Sequence, residues 1–191
     1  MLGTIAAGAA LVAALVATAV FAAVADEPDA RPTPEVELRF SGDDQDPPPL
    51  VADDVTGRQV PDDRFSRLEG GVGSFADYRG KPLVVNFFAS WCAECVAEMP
   101  DFESVHQEVG DQVGFLGVNL QDQVSDATAL VERTGVTYDI ARDPSGALAG
   151  ALGVVGMPST FFVSPEGEVI GSEVGALSAD ELRQKLEELV R

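Results

Sequence analysis

Cysteine and histidine are scarce in this chain: its 191 residues include two cysteines and a single histidine. A closed zinc site takes about four ligands, so a structural metal centre is excluded unless carboxylates or a second chain complete it. Basic residues are scarce too, with 12 Lys and Arg against 32 Asp and Glu and a formal net charge of -20. Nucleic acid is thereby excluded as a partner, because its phosphates demand Lys and Arg, and anionic membrane surfaces are excluded as a docking site for the same reason. The acid excess is spread along the chain, as a solubility device would be, and it favours basic partners over acidic ones.

Charge of either sign is missing from Leu2 to Ala25, a length that crosses a bilayer as a helix of about 20 residues or more. The run is expected to be an apolar anchor helix or a signal peptide. Ala23-Val24-Ala25 resembles a cleavage site, yet the run exceeds the roughly 7 to 15 residues of a signal-peptide core. A single-pass anchor through residues 2–25 is the preferred reading, with the remainder on the extracytoplasmic side of the cell membrane, or secreted if the segment is cleaved. No Lys or Arg precedes the run, so the charge bias that orients an anchor is weak. Residues 26–60 are rich in Asp, Glu and Pro, including Pro47-Pro48-Pro49. Such a stretch reads as an acidic linker, extended by proline and charge repulsion, with a strand near Val36–Phe40 as the alternative. The expected organisation is an anchor or signal peptide over 1–25, a linker over 26–60 and one folded domain over 61–191.

Within that domain, apolar residues at Phe65, Leu68, Val72 and Phe75, with glycines between, predict a small hairpin. Leu83–Phe88 predicts the first buried strand. A helix is expected from about Cys92 to Val109, a strand over Val113–Leu120, a helix over Asp126–Arg133, a short strand over Tyr138–Ala141 and a short helix near Ala147–Leu152. Ser159–Val163 and Glu168–Val174 read as strands joined by the turn Ser164-Pro165-Glu166-Gly167. Ser178 is expected to cap a last helix with Glu181 reaching back, and Leu182, Leu186 and Leu189 share its apolar face. Helices alternating with strands, then a terminal hairpin and helix, imply an α/β fold with a mixed central sheet flanked by helices.

Both cysteines fall in Trp91-Cys92-Ala93-Glu94-Cys95, where the strand gives way to the helix. Two thiols three residues apart on a first helical turn share one face and can join with little backbone movement. As a staple the pair would close a tiny loop and contribute little stability. As half a metal site it would lack partners. The motif therefore reads as a redox switch.

This motif, followed by Glu98 and Pro100 and, downstream, by Gly156-Met157-Pro158-Ser159-Thr160-Phe161, resembles the TlpA/ResA branch of the thioredoxin superfamily, membrane-tethered thiol-disulfide reductases. The resemblance covers roughly residues 55 to 191. It implies a thioredoxin-like fold with the dithiol at a helix N-terminus beside a cis-proline loop, and Pro158 is the matching position. It also implies exported, disulfide-bearing client proteins, a role such as keeping apocytochrome c cysteines reduced, and a membrane dithiol carrier as electron donor. No cofactor is expected beyond the dithiol itself.

Cys92 is the expected nucleophile, its thiolate favoured by the amides and dipole at the helix N-terminus, and Cys95, a turn deeper, is the expected resolving thiol. Glu94 sets a negative charge near that thiolate unless it points into water. Glu98, three residues after Cys95 on the same face, is the expected proton relay. In the resembling family a glutamate here tunes the thiols, while the strand acid of ordinary thioredoxins is replaced by Asn86, which cannot act as a base. Pro100 is expected to interrupt the helix ladder. Trp91, Met157 and Pro158 are the expected substrate-binding residues; Trp91 shields the dithiol or else fills the core. His106 is expected on the solvated half of the helix. Alternative functions are a disulfide-introducing oxidase, a thiol peroxidase and a copper-handling protein. Peroxidases need a threonine three residues before the reactive cysteine, and Ala89 stands there; copper would have only two assured ligands.

Overall fold

Leu83–Phe88 (β3) is buried at every position, which is what a central strand covered on both faces requires. The computed structural model describes residues 54–189. The expected anchor, and the linker up to residue 53, lie outside the described residues; among the described residues no helix is long and apolar enough to cross a membrane. β3 runs parallel to Gly114–Leu120 (β4) and antiparallel to Ser159–Val163 (β6). Arg64–Arg67 (β1), Val72–Ser74 (β2), Asp139–Asp143 (β5) and Val169–Val174 (β7) complete a seven-stranded mixed sheet in the order β2-β1-β5-β4-β3-β6-β7.

Because side chains alternate across a strand, β3 feeds two cores. Val84 and Phe88 face the core formed with Cys95, Met99, Phe102 and Val105 of Ala93–Val109 (α1), Leu130 of Val124–Thr134 (α2), and Leu182 and Leu186 of Ala179–Leu189 (α4). Leu83, Val85 and Phe87 face the other, with Leu148, Ala149 and Leu152 of Ala147–Leu152 (α3), Phe65, and Phe75 from the 3-10 turn Phe75–Tyr78. The expected mixed sheet flanked by helices is thus the observed one.

Most elements stand where the apolar pattern places them. The hairpin β1–β2 forms, and β1 joins the sheet through β5. The Ser178–Glu181 capping pair forms, with the Ser178 amide and hydroxyl both donating to Glu181 Oε2, at 2.9 and 2.6 Å. The turn after β6 closes through Gly167 N–H to Ser164 C=O at 2.8 Å, with Gly167 at φ +82°, a backbone region that favours glycine. Several boundaries move. α2 starts at Val124 rather than Asp126, and β5 covers Asp139–Asp143 rather than Tyr138–Ala141. The linker boundary at 60 falls inside the folded part: Val55 and Val60 are buried, and Gln59 bridges to Glu168. The Asp-rich composition around them masked two valines that dock on the second core.

Gly117 in β4 lets Phe88, Tyr138 and Ile140 close over the sheet beneath α1. A Cβ there would lie 2.7 Å from Ile140 Cδ1 and 2.9 Å from Phe88 Cε1, closer than packed carbon atoms stand. Gly117→Ala is expected to destabilise the domain by about 1–3 kcal/mol, read by urea denaturation. An unchanged midpoint would mean that the strand is free to shift away from its neighbours.

Candidate active site

The chain leaves β3 at Phe88 and turns within four residues into α1, with the Cys92 amide donating to Ala89 C=O at 3.2 Å. Cys92 is the N-cap of α1, its backbone extended at φ -95° and ψ 106°, and its Sγ accepts the Cys95 amide at 3.2 Å. Cys92 and Cys95 are joined in a disulfide, Cα atoms 5.3 Å apart. Cys95 is fully enclosed and Cys92 is 6% exposed, so the first cysteine is the one a partner meets. Helix geometry produces this asymmetry, since the cap stands at the rim and position 95 points down into the core.

Glu98, on the helix face that bears Cys95, is 3% exposed. Its Oε1 accepts from Asn86 Nδ2 at 2.9 Å and its Oε2 from the Leu177 amide at 3.0 Å. Burial pushes its carboxyl up to about 7, against the two hydrogen bonds, with Asp101 adding to the rise. A group poised there takes up and gives back a proton near neutrality. Asn86 also donates to Thr160 Oγ1 at 3.2 Å, while its Oδ1 is buried without a partner among the described residues. Asn86 is thus a neutral prop for the acid on the helix.

Just before β6, whose first residue Ser159 pairs with Phe87 near the end of β3, the Met157–Pro158 peptide is cis. Pro158 is buried and its carbonyl accepts the Gly175 amide at 2.9 Å. Met157 is half-buried and touches both cores. Trp91 is 63% exposed, so the core alternative for this residue fails; the ring stands in solvent beside Cys92. Glu94 is exposed. α1 runs through Pro100 to Val109, so the proline does not end it. His106 departs from its expected solvated position: its ring packs 5.1 Å from Phe115 and 5.6 Å from Tyr138, centroid to centroid, because the helix rotates it toward the sheet. Among the described residues no cluster of three or more His, Cys, Asp or Glu is arranged to hold a metal ion.

One residue of the site went unread in the sequence. Asp122, in the loop after β4, is buried and accepts the Ser90 amide at 2.7 Å, the Ser90 hydroxyl at 2.9 Å and Asn119 Nδ2 at 2.7 Å. The available signal was its place just past the C-terminal end of the parallel strand next to β3, where open α/β sheets gather their sites.

A model of the AhpC/TSA family matches residues 56–172. The chain belongs to the AhpC/TSA family. Within it, the chain is 32% identical over 138 residues to the thiol-disulfide oxidoreductase ResA of Geobacillus thermodenitrificans, covering 71% of this chain and 78% of that protein. It is 32% identical over 150 residues to the thiol:disulfide interchange protein HelX of Rhodobacter capsulatus, covering 76% and 83%. Among solved structures, a DsbF homologue from Corynebacterium diphtheriae superposes with a TM-score of 0.64 at 28% identity, covering 68% of this chain and 85% of that one. These relatives and the fold they share make this AhpC/TSA member a thiol-disulfide oxidoreductase, and its two cysteines form the disulfide of the site.

Proposed function

We propose that this oxidoreductase works as a reductase of disulfides in exported proteins, tethered to the cell membrane through residues 2–25 and recharged by a membrane dithiol carrier. The observation that carries the direction is the acid placed around the dithiol: Glu98 is buried on the face of α1 that bears Cys95, and Asp122 is bonded to the loop that leads into Cys92. Negative charge near a thiolate disfavours it, so the reduced form gains little and the disulfide is the preferred state. A couple of that kind donates electrons.

In the reducing cycle the Cys92 thiolate attacks a client disulfide, forming a mixed disulfide and expelling one client thiolate. Cys95 passes its proton to Glu98, and its thiolate attacks Cys92 Sγ and expels the second client thiolate. Two electrons move to the client, and the Cys92–Cys95 disulfide remains. Trp91 and the Met157–Pro158 loop flank Cys92 as the docking residues, and Met157 meets the extended client segment. The resemblance to TlpA/ResA proteins extends the reading to apocytochrome c as a client, whose haem-attachment cysteines must stay reduced.

The test is the reduction potential of residues 26–191, equilibrated with glutathione or dithiothreitol and read by mass spectrometry. A value near or below about -270 mV is expected. A value near about -120 mV would make the protein a disulfide-introducing oxidase.

A further inference from the structure

Ser90, Trp91 and Cys92 sit on a turn only four residues long, closed by the Cys92 amide on Ala89 C=O at 3.2 Å. A displacement of Ser90 is therefore passed on to Cys92, whose Cα lies no more than about 7.6 Å from that of Ser90, two peptide units away. Besides the disulfide from Cys95, the side chain of Asp122 holds the turn from a loop on the neighbouring strand. Asp122 takes the Ser90 amide on Oδ2 at 2.7 Å and the Ser90 hydroxyl on Oδ1 at 2.9 Å, a two-pronged grip on one residue. Asn119, the last-but-one residue of β4 and paired with Phe88 across the parallel ladder, fixes the carboxylate from below at 2.7 Å. The Ser90 amide and Asn119 Nδ2 can only donate, and the Ser90 hydroxyl donates as well, so both carboxylate oxygens serve as acceptors.

The loop that presents Asp122 is itself constrained. Gln121, immediately before it, has φ +53°, left-handed backbone that non-glycine residues seldom adopt. The Gln121 amide is bonded to Asp143 C=O at 3.1 Å. Burial of the carboxylate, the left-handed residue and three converging donors make a built feature rather than a chance surface contact.

We propose that Asp122 is a positioning residue that sets both the place of Cys92 and the potential of the dithiol. Through Ser90 it holds the N-cap of α1 at the rim with Trp91 beside it. Through its charge, in a buried and weakly screened position, it opposes the stabilisation that the helix N-terminus gives the Cys92 thiolate. Removing the charge stabilises the thiolate, hence the reduced form, and moves the couple toward the oxidising side. The inference rests on the dithiol being the redox centre, which titration of the wild-type chain checks by itself.

The experiment compares the wild-type chain, Asp122→Asn and Asp126→Asn in two readouts: the equilibrium constant with glutathione, and the pH dependence of Cys92 alkylation by iodoacetamide in the reduced protein. Asp126 is exposed on the first turn of α2, so its replacement makes the same change in net charge without the contacts. Asp122→Asn is expected to shift the equilibrium about tenfold toward the reduced enzyme, close to 30 mV, and to move the alkylation profile to lower pH. Asp126→Asn is expected to leave both within error. If Asp122→Asn alters thermal stability alone, or if the two variants shift the couple equally, the proposal is overturned. Should Asp122→Asn fail to fold, Asp122→Ser removes the charge with a smaller polar side chain, and the same two readouts decide.

Discussion

Replacing Cys92 by serine is expected to lower disulfide exchange by several orders of magnitude, whereas Cys95→Ala is expected to keep the first attack and accumulate a client-linked mixed disulfide. The asymmetry follows from where α1 puts the two sulfurs. Cys92 caps the helix, where unpaired amides and the positive end of the dipole favour a thiolate, and it retains some exposure. Cys95 is fully enclosed and flanked by Met99 and Phe102 of the same helix. A client sulfur has a path to the first and none to the second. Serine cannot ionise near neutrality, so Cys92→Ser loses the nucleophile outright. Cys95→Ala removes only the intramolecular attack that clears the mixed disulfide, and the intermediate then persists for as long as outside thiols are excluded. Insulin reduction followed by turbidity reads the first effect, and non-reducing mass spectrometry with a disulfide-bearing peptide reads the second. Mixed disulfide that builds up in a Cys92→Ala chain, and not in the Cys95→Ala chain, would reverse the assignment.

The dithiol was legible in the sequence because its chemistry is local. Cys92 and Cys95 are three residues apart at a strand-to-helix junction, so spacing and the break in apolar pattern locate them on a helix cap without any knowledge of the rest. The sheet was legible for a similar reason: continuous apolar runs such as Leu83–Phe88 announce buried strands. What escaped depends on contacts distant in sequence. Asp122 acts on Ser90 across 32 positions, and no periodicity links a loop carboxylate to a turn on another strand. Val55 and Val60 were hidden by acidic neighbours, although each finds a slot in the second core. His106 was misplaced because its helical face was judged by polar neighbours in sequence, while the rings it meets, Phe115 and Tyr138, come from β4 and the approach to β5. Glu98 lies between these cases. Its face could be read from its spacing to Cys95, but its burial required Leu177, 79 positions away, to cap its second oxygen.

Glu98 also gives the second large expected effect, a pH-dependent stability that Glu98→Gln abolishes. With its carboxyl pushed up to about 7 in the folded state, from an ordinary value of 4.5, the folded chain holds this proton more tightly than the unfolded chain does. The resulting stabilisation is fully present below pH 4.5 and is lost as pH rises through 7. A difference of that size amounts to about 3 kcal/mol. Oxidised wild-type protein is therefore expected to weaken between pH 5 and pH 8 by up to that amount, and Glu98→Gln to lose this component of the slope. The glutamine is a fair stand-in for the protonated acid. The protonated acid places one O–H, and the glutamine an NH2, where an oxygen stood, and the unpartnered Asn86 Oδ1 can receive a hydrogen from either if the Asn86 amide turns over. Urea denaturation of both oxidised proteins at the two pH values measures the effect, and parallel losses in the two would assign the slope to other groups. The same substitution is expected to slow clearance of the mixed disulfide by about a hundredfold or more, since an amide cannot take the Cys95 proton. A variant that is sturdier at pH 8 and slower in resolution is what a buried acid kept for proton transfer demands, because the ionised form that costs stability is the form able to accept the proton.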